Sequence, residues 1–397
     1  MSQRRYGFVK PSLIRLFSLL DALGEALVPP ARPPASPPQR IAYLNLAHLG
    51  DVLLTTPAVA ALRQRYPASH LAMVVAPWGS AAIATNPRLD AVHTFAAPWW
   101  DRARGSPMLA PGAVLRLARL LRAEGYDTVI QGKSFFQENL AAALAGVPRR
   151  VGFGIYGGGF LQTVLVPFPW GSHTVLQHLA LAAVLEARSE HPRLEFTIPP
   201  EEAARAAQLL AASGSEVLVA VHVGAGFPSK LWPLERYAAL GKALIARAGV
   251  TVVLVGGAED QPLAATVRQE LRGSVLDLTG KLSWAGTAAV LQRAALFIGN
   301  DSGPAHLAAA VGTPALVIFS GQNEPAVWRP WGERVVVLQH RPACAPCGLR
   351  HCTRDLACLF GVSVEAALTA AEALLAGREG PRSATGSAHH PPGSPRQ

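Results

Sequence analysis

Residues 299–314 read "GNDSGPAHLAAAVGTP" and join the end of a short apolar run to an alanine-rich segment. The run "LFIGN" (296–300) is typical of a buried strand, and Pro304 suits an early helical position, where its missing N–H costs nothing. The N–H groups of Ser302, Gly303 and the first helical turn are then free at the positive end of the helix dipole. The stretch predicts a strand–loop–helix unit that binds a phosphate group.

Two other side chains of this stretch are candidate ligand groups. Asp301 is poorly placed to face a phosphate, so we expect it to accept hydrogen bonds from the hydroxyls of a ligand. His306 projects from the first helical turn and could add a donor. The alternative is an ordinary capped helix with Asp301 or Ser302 as its N-cap.

Similar strand–loop–helix units recur along the chain. A first series begins with the apolar run "RIAYLNL" (40–46), and a second begins with "EVLVAVHVGAG" (216–226). Such alternation is typical of doubly wound parallel sheets. We therefore expect an α/β protein with two Rossmann-like domains, whose strand carboxyl ends face one cleft.

The expected organisation has four parts. Residues 1–39 form an amphipathic helix and a proline-rich spacer, 40–200 the first domain, 201–376 the second domain with a C-terminal helix, and 377–397 a disordered tail. The apolar residues of 13–27 recur at helical spacing with Lys10 and Arg15 nearby, which fits a helix on an anionic membrane surface. The alternative is a helix packed against the protein body.

Charge and composition limit the classes of partner that the protein is expected to bind. The 397 residues are 50% hydrophobic and carry a net charge of +10, so the partner is expected to be anionic. Nucleic acid is disfavoured because the basic residues are scattered, without a basic stripe interleaved with aromatic side chains.

The loop "HVGAGFPSKLWP" (222–233) is a second candidate ligand loop. Gly224, Ala225 and Gly226 leave its backbone accessible, and Lys230 can place an ammonium against a diphosphate. A solvated surface lysine is the alternative. In the next loop, "LVGGAEDQ" (254–261), Glu259 or Asp260 can hold ribose or sugar hydroxyls, although first-turn acidic residues also suit a helix start.

The first-domain loop "AHLGD" (47–51) places Asp51 where a helix begins, and helical periodicity then continues through 52–67. Only Gly50 stands where a dinucleotide fold would have GxGxxG, so NAD is disfavoured. A carboxylate at the cleft edge suits a general base for an acceptor hydroxyl, and the alternative is an N-cap aspartate.

The cysteines cluster late in the chain, with His351 among them. Four thiolates at the spacing C-x2-C-x4-C-x5-C could hold a structural zinc ion or an iron–sulfur cluster. The alternatives are reduced thiols or a local disulfide. The four thiols belong to Cys344, Cys347, Cys352 and Cys358.

Together these segments resemble glycosyltransferase family 9, the heptosyltransferases of bacterial lipopolysaccharide core assembly. The resemblance is carried by "LGDVLLTTPAVAALRQRYP", "HVGAGFPSKLWPLERYAAL", "GNDSGPAHLAAAVGTPALVIF" and the late cysteine cluster, in family order over 41–375. It implies a GT-B fold that holds the acceptor in the first domain and the nucleotide-sugar donor in the second. It also implies an inverting reaction. No metal or other cofactor is expected to be required, because fixed backbone dipoles and an ammonium can carry the charge of the leaving group.

By similarity, Asp51 matches the catalytic base of the family, Lys230 its donor-phosphate lysine and Glu259 the acidic residue near the nucleoside. The family's donor loop matches Asp301, Ser302, Gly303 and His306.

The sequence thus predicts an inverting glycosyltransferase on the inner face of the cytoplasmic membrane. It would move a sugar, heptose from an ADP-activated donor, onto a lipid-linked or lipopolysaccharide glycan. A nucleotide-sugar epimerase and a non-catalytic nucleotide-sugar or glycan-binding protein are the alternatives.

Overall fold

Two six-stranded parallel sheets organise the protein. The structure, a computed structural model, describes residues 5–8, 10–29, 32–101, 110–211, 214, 217–247 and 249–377. The first sheet contains β1 (Arg40–Asn45), β2 (His70–Val75), β3 (Ala91–Thr94), β4 (Thr128–Gln131), β5 (Arg149–Gly152) and β6 (Val164–Leu165). The second contains β7 (Val217–His222), β8 (Val250–Leu254), β9 (Val275–Asp277), β10 (Leu296–Asn300), β11 (Ala315–Phe319) and β12 (Val335–Gln339).

The two sheets have the same strand order. The first runs β3-β2-β1-β4-β5-β6 and the second runs β12-β11-β10-β7-β8-β9, which is the same order when its strands are counted from β7. Each sheet therefore reverses direction once, between β1 and β4 and between β7 and β10. Ligands of such sheets bind outside the carboxyl strand ends at this switch point. The predicted pair of doubly wound α/β domains is confirmed.

Helices cover both sheets. The first domain carries α1 (Pro11–Leu27), α2 (Leu49–Leu53), α3 (Thr56–Arg65), α4 (Pro111–Ala123), α5 (Phe136–Leu144) and α6 (Thr174–Ala183). The rest of the chain adds α7 (Pro200–Ala211), α8 (Leu234–Ile245), α9 (Gln261–Glu270), α10 (Trp284–Arg293), α11 (Gly303–Ala310), α12 (Pro325–Trp328), α13 (Ala357–Phe360) and α14 (Val364–Leu375). Short 3-10 segments occur at Pro77–Ala82, Pro98–Trp100, Gly159–Leu161, Pro228–Lys230 and Ala258–Asp260.

The central strands are buried on both faces because helices lie above and below them. Every residue of β8, β10 and β11 is buried, which explains why these strands read as continuous apolar runs. The helices bury one stripe each. In α4 this stripe consists of Ala113, Val114, Leu117, Ala118 and Leu121.

Sequence periodicity predicts one helix after the first strand, but the structure has two. The chain breaks the predicted helix between α2 and α3, where the hydroxyls of Thr55 and Thr56 donate to the carbonyls of Val52 and Leu53 at 2.6 and 2.8 Å. Thr56 begins the next helix, and Pro57, which has no N–H, is its second residue. Two short helices therefore replace one, and only α2 lies at the strand end.

The N-terminal helix α1 packs against the first domain, as its alternative interpretation stated. Its inner face is formed by Phe17, Asp21 and Gly24. The Asp21 carboxylate accepts hydrogen bonds from the Tyr6 hydroxyl at 2.9 Å and from the Gly158 N–H at 2.7 Å. Among the described residues, no helix has the length and apolar character that crossing a bilayer requires.

The C-terminal helix was expected, and α14 is capped by Ser363, whose hydroxyl accepts from the Ala366 N–H at 3.2 Å. The tail expected at 377–397 lies outside the described residues except for Gly377.

Candidate active site

A cavity of about 890 Å³ lies between the two domains, at the carboxyl ends of both sheets. The loops after β1, β7, β8 and β10 all contribute to its wall. The predicted site residues that line it are Asp51, Ala225, Gly226, Lys230, Glu259, Asp301, Ser302, Gly303 and His306. The fold therefore brings together residues that are up to 255 positions apart in the chain, counted from Asp51 to His306.

The two domains meet where α2 approaches α11. A Cβ on Gly50 would lie 3.0 Å from the Cδ2 atom of His306 and 3.6 Å from the Cα atom of Gly303. The absence of a side chain at Gly50 thus permits direct contact across the cleft. Asp51, the next residue, is held opposite the N-terminus of α11.

Asp51 is paired with a lysine that the sequence interpretation missed. Lys133 follows β4, the strand beside β1, and its Nζ atom lies 3.1 Å from Oδ1 of Asp51. Burial raises the pKa of Asp51, but the charge and hydrogen bond of Lys133, with smaller effects of His48 and His306, bring it below the ordinary value. Asp51 is therefore a carboxylate at neutral pH.

In the second domain, Lys230 and Asp301 bind each other. The Lys230 Nζ atom lies 2.6 Å from Oδ2 of Asp301, and both side chains are largely buried. The Asn323 side-chain amide donates to the same oxygen at 2.7 Å. The sequence interpretation assigned each residue to a ligand separately. The structure instead shows a pair in which Asp301 fixes the position of the ammonium.

The N-terminus of α11 is available to a ligand. Ser302 is its N-cap residue, but its side chain makes no capping hydrogen bond. The Ser302 hydroxyl instead lies 3.2 Å from Nδ1 of His222, the last residue of β7. Since Ser302 and Gly303 line the cavity, the positive end of the helix dipole faces the space where an anion would bind.

The two acidic residues after β8 have different environments. Asp260 is buried and lies 3.1 Å from Nε2 of His222, and it accepts from the Gly257 N–H at 2.9 Å. Burial raises the pKa of Asp260, but His222 and the Gly257 N–H bring it below the ordinary value. Glu259 is exposed at the cavity wall. Asp260 therefore orients His222, and Glu259 remains the candidate for ligand hydroxyls.

Gly224 lies outside the cavity lining, unlike its neighbours Ala225 and Gly226. A Cβ on Gly224 would lie 1.9 Å from Oδ1 of Asp260, so only glycine fits beside that carboxylate. The Gly224 carbonyl accepts from the side-chain amide of Asn300 at 3.0 Å. Its role in the structure is close packing behind the site.

His306 is buried beneath the cavity. Burial lowers the pKa of its imidazole, against the opposing effects of Asp301 and Asp51, so the ring is neutral at pH 7. Its Nδ1 atom has no hydrogen-bond partner within the described ranges. This nitrogen faces a cavity wall without a protein partner, so it is a candidate to bind a polar atom of a ligand.

A smaller cavity of about 230 Å³ adjoins the large one. Its wall is rich in aromatic side chains, which include Tyr156, Phe168 and Trp170. Trp328, from α12 of the second domain, lines both cavities, and the Lys133 ammonium lies 4.7 Å from the centroid of its ring. The two cavities thus join beside the Asp51–Lys133 pair.

The structure shows the four cysteines of the late cluster as thiols. Cys344, Cys347 and Cys352 are partly buried, Cys358 is buried, and all four are free thiols. No three His, Cys, Asp or Glu side chains of the described chain are arranged to hold a metal ion. The structural zinc or iron–sulfur site remains a prediction of the sequence alone.

The geometry suits transfer of a group from a phosphorylated leaving group. A helix N-terminus and an ammonium on one domain can hold an anion, and an ionised carboxylate on the other can accept a proton. A second cavity is available beside the carboxylate for another substrate.

Comparison with known proteins agrees with this chemistry. The family model "Glycosyltransferase family 9 (heptosyltransferase)" matches residues 114–357. Lipopolysaccharide heptosyltransferase 3 of Escherichia coli is 28% identical over 297 residues, which cover 72% of this chain and 85% of the relative.

Two solved structures share the fold. A glycosyl transferase family 9 structure from Veillonella parvula superposes with a TM-score of 0.72 at 24% identity, covering 85% of this chain and 97% of the other. E. coli ADP-heptose lps heptosyltransferase II superposes with a TM-score of 0.68 at 19% identity, covering 85% and 99%. Since the family model spans more than half of the chain and includes the donor-side loops, this protein belongs to glycosyltransferase family 9 and is a glycosyltransferase.

Proposed function

We propose that this protein transfers heptose from ADP-heptose to a hydroxyl of a lipopolysaccharide-core or related lipid-linked glycan. One observation carries the proposal: the Asp51 carboxylate and the N-terminus of α11 line the same cavity from opposite domains. The E. coli relative in the sequence comparison is a lipopolysaccharide heptosyltransferase, and one structural neighbour is named for ADP-heptose. Both names support this choice of donor and acceptor.

The proposed reaction is a single displacement. The acceptor oxygen bonds to the anomeric carbon, the bond from that carbon to the diphosphate oxygen breaks, and the hydroxyl proton passes to Asp51. Charge that develops on the leaving diphosphate is stabilised by Lys230 and the α11 N-terminus. These groups carry the charge without a metal ion. On the first-domain side, Asp51 is the one carboxylate among the described residues that line the cavity, which favours inversion because retention by double displacement needs a nucleophile as well.

The smaller aromatic cavity is the proposed acceptor site. Its rings can pack against the apolar faces of sugar rings, while Asp51 lies at its junction with the donor cavity. An acceptor that enters there meets the donor beside the base. The first domain then holds the acceptor and the second holds the donor.

The outer face of α1 supports peripheral attachment to the inner face of the cytoplasmic membrane. Leu19, Leu23 and Leu27 are 60%, 50% and 77% exposed, and Leu16 lies on the same face. A helix that buries Asp21 and exposes its leucines is suited to insert that stripe at a lipid surface. Arg15, exposed on the same helix, adds attraction to anionic headgroups.

The central experiment compares wild type with Asp51→Asn in two assays. We expect wild type to release ADP from ADP-heptose only when the heptose-deficient glycan is present, and we expect EDTA to leave that activity unchanged. Asp51→Asn should lose at least about 10²-fold in kcat, as expected for loss of a general base, while its ADP affinity stays within about twofold. Conversion of the donor without acceptor would indicate an epimerase. Donor binding without ADP release would indicate a binding protein.

Membrane attachment is tested by vesicle flotation. Wild type should float with vesicles that contain phosphatidylglycerol, and Leu19→Glu with Leu23→Glu should stay in solution. Leu144→Glu is the control, because Leu144 is also exposed but lies on α5. Equal flotation of all three proteins would exclude this role of α1. If wild type instead forms dimers that only the double variant loses, the leucine stripe serves self-association.

A further inference from the structure

The cysteine segment contributes a cation to the donor cavity. Gly348 and Arg350 both line the cavity, from the long loop that follows β12 at the edge of the second sheet. The guanidinium of Arg350 lies 5.1 Å from the centroid of the Phe227 ring, in the loop that also carries Lys230. A segment that the function had not explained thus forms part of the site wall.

Hydrogen bonds hold this segment on both sides of the cavity. The N–H groups of Cys347 and Gly348 donate to the carbonyls of Gly321 and Gln322, after β11, at 2.9 and 3.2 Å.

On the other side, Ser229, which immediately precedes Lys230, donates its N–H to the Arg350 carbonyl at 3.3 Å and its hydroxyl to the Leu349 carbonyl at 2.6 Å. The side-chain amide of Gln322 donates to the same Leu349 carbonyl at 2.9 Å. The backbone of Arg350 is therefore tied to the donor loop itself.

The charges in the cavity wall show why this arginine matters. Lys230 is paired with Asp301, and Lys133 is paired with Asp51. Arg350 forms no ion pair with any carboxylate in the described part of the chain. It is thus a cation of the cavity wall without a carboxylate partner, and its charge would add to those of Lys230 and the α11 dipole at a diphosphate in the cavity.

We propose that Arg350 binds the diphosphate of the donor, and that residues 344–350 serve to place it there. The inference rests on the proposed function and adds a binding residue to it. Arginine suits this role because its planar donors can contact two phosphate oxygens at once.

The test measures ADP affinity by calorimetry. Arg350→Ala should weaken ADP binding by about tenfold, the effect of one charge-assisted hydrogen bond, and should flatten its dependence on salt. Arg350→Lys should recover part of the loss. The control is Arg354→Ala, which removes the same charge from an exposed position of the same segment outside the cavity.

The outcomes separate this inference from the proposed function. If wild type binds ADP and Arg350→Ala binds it equally well, the role of Arg350 is wrong and the proposed function stands. Equal losses in Arg350→Ala and Arg354→Ala would indicate only general attraction by positive charge, and would also overturn the inference. If wild type binds no ADP but binds another nucleoside diphosphate, the choice of donor fails, and the Arg350 comparison is made with that nucleotide.

Discussion

Lys133 sets the protonation of the proposed base. Its ammonium contacts Asp51 from the neighbouring strand end, at 3.1 Å. Because this pair lowers the pKa of the carboxyl, Asp51 stays ionised at mildly acidic pH but is a weaker proton acceptor. We regard Lys133 as a positioning residue, since it acts on the acceptor through Asp51.

Replacing Lys133 by methionine should therefore change the pH dependence of transfer. Without the ammonium the pKa of Asp51 rises, so the acidic limb of the kcat profile moves to higher pH, and the fall in rate begins closer to neutrality. Lys133→Arg, which keeps the charge, should keep the wild-type limb. The profile is measured by ADP release, and an unmoved limb in Lys133→Met would show that the pair does not control the base.

Buried Glu138 gives a second prediction at this scale. The indole N–H groups of Trp99 and Trp100 each donate to its Oε1 atom, at 3.1 and 3.0 Å. These bonds favour the carboxylate, but burial outweighs them and raises the pKa of Glu138 from 4.5 to about 7. The folded protein therefore holds a proton that the unfolded chain releases, and stability is lost as pH rises from about 4.5 to about 7.

The measurement is Tm across this pH range. Wild type should lose stability with rising pH, and Glu138→Gln should lose less, whatever its Tm at low pH. Glu190→Gln, which removes an exposed carboxyl, should follow the wild-type curve. Parallel curves for all three proteins would mean that Glu138 is ionised throughout.

The site residues that the sequence could predict are those that lie within a few residues of the carboxyl end of a strand. Asp51, Lys230 and Asp301 are polar groups placed after apolar runs, and parallel strands end at one edge of a sheet. Their partners could not be predicted. Asp301 pairs with Lys230 because β7 lies beside β10, and Lys133 reaches Asp51 because β4 lies beside β1. Such pairings depend on strand order, which periodicity does not specify.

At the scale of elements, the strands could be predicted more fully than the ends of the helices and the faces that the helices bury. A buried parallel strand is a continuous apolar run, so β1, β2, β7, β8 and β10 could be read directly. Periodicity did not show the break at Thr55, which depends on local hydroxyl bonds. It also did not show which face of α1 is buried, since the inner face includes the polar residue Asp21.

The attachment of α1 should depend on a glycine of the first domain. Gly157 has a φ of +84°, and a Cβ there would lie 2.1 Å from the Cδ1 atom of Phe17. Gly146 has a φ of +77° with no atom within 4 Å of its Cβ position. Both alanine variants carry the backbone strain, about 1–2 kcal/mol, but only Gly157→Ala displaces Phe17.

We expect Gly157→Ala to have the lower Tm and to be cut by trypsin at Arg15 much faster than Gly146→Ala, because cleavage requires local opening of the helix. Similar cleavage rates in the two variants would show that the contact with Phe17 does not hold α1 in place.

For the whole molecule, the decisive feature is the contact between domains. Besides α2 and α11, the Thr174 hydroxyl donates to the Val327 carbonyl at 3.0 Å, and the Trp331 indole donates to the Pro192 carbonyl at 2.7 Å. Neither domain alone contains both the proposed donor site and the proposed base. The distance between the domains therefore determines whether the acceptor hydroxyl reaches the anomeric carbon.

Gly50→Ala tests this dependence. The added methyl group would stand 3.0 Å from His306 and should move α2 away from α11 by a few tenths of an ångström. The proposed donor site lies in the second domain, so ADP affinity should stay within about twofold. In contrast, kcat should fall by roughly tenfold because small displacements of reacting groups slow the chemical step strongly. Gly112→Ala, in an exposed part of α4 with its nearest neighbour 3.7 Å away, is the control and should leave both values unchanged. A Gly50→Ala protein with wild-type kcat would show that the transfer step tolerates a wider cleft, and a parallel loss of ADP affinity would show that α2 also supports the donor site.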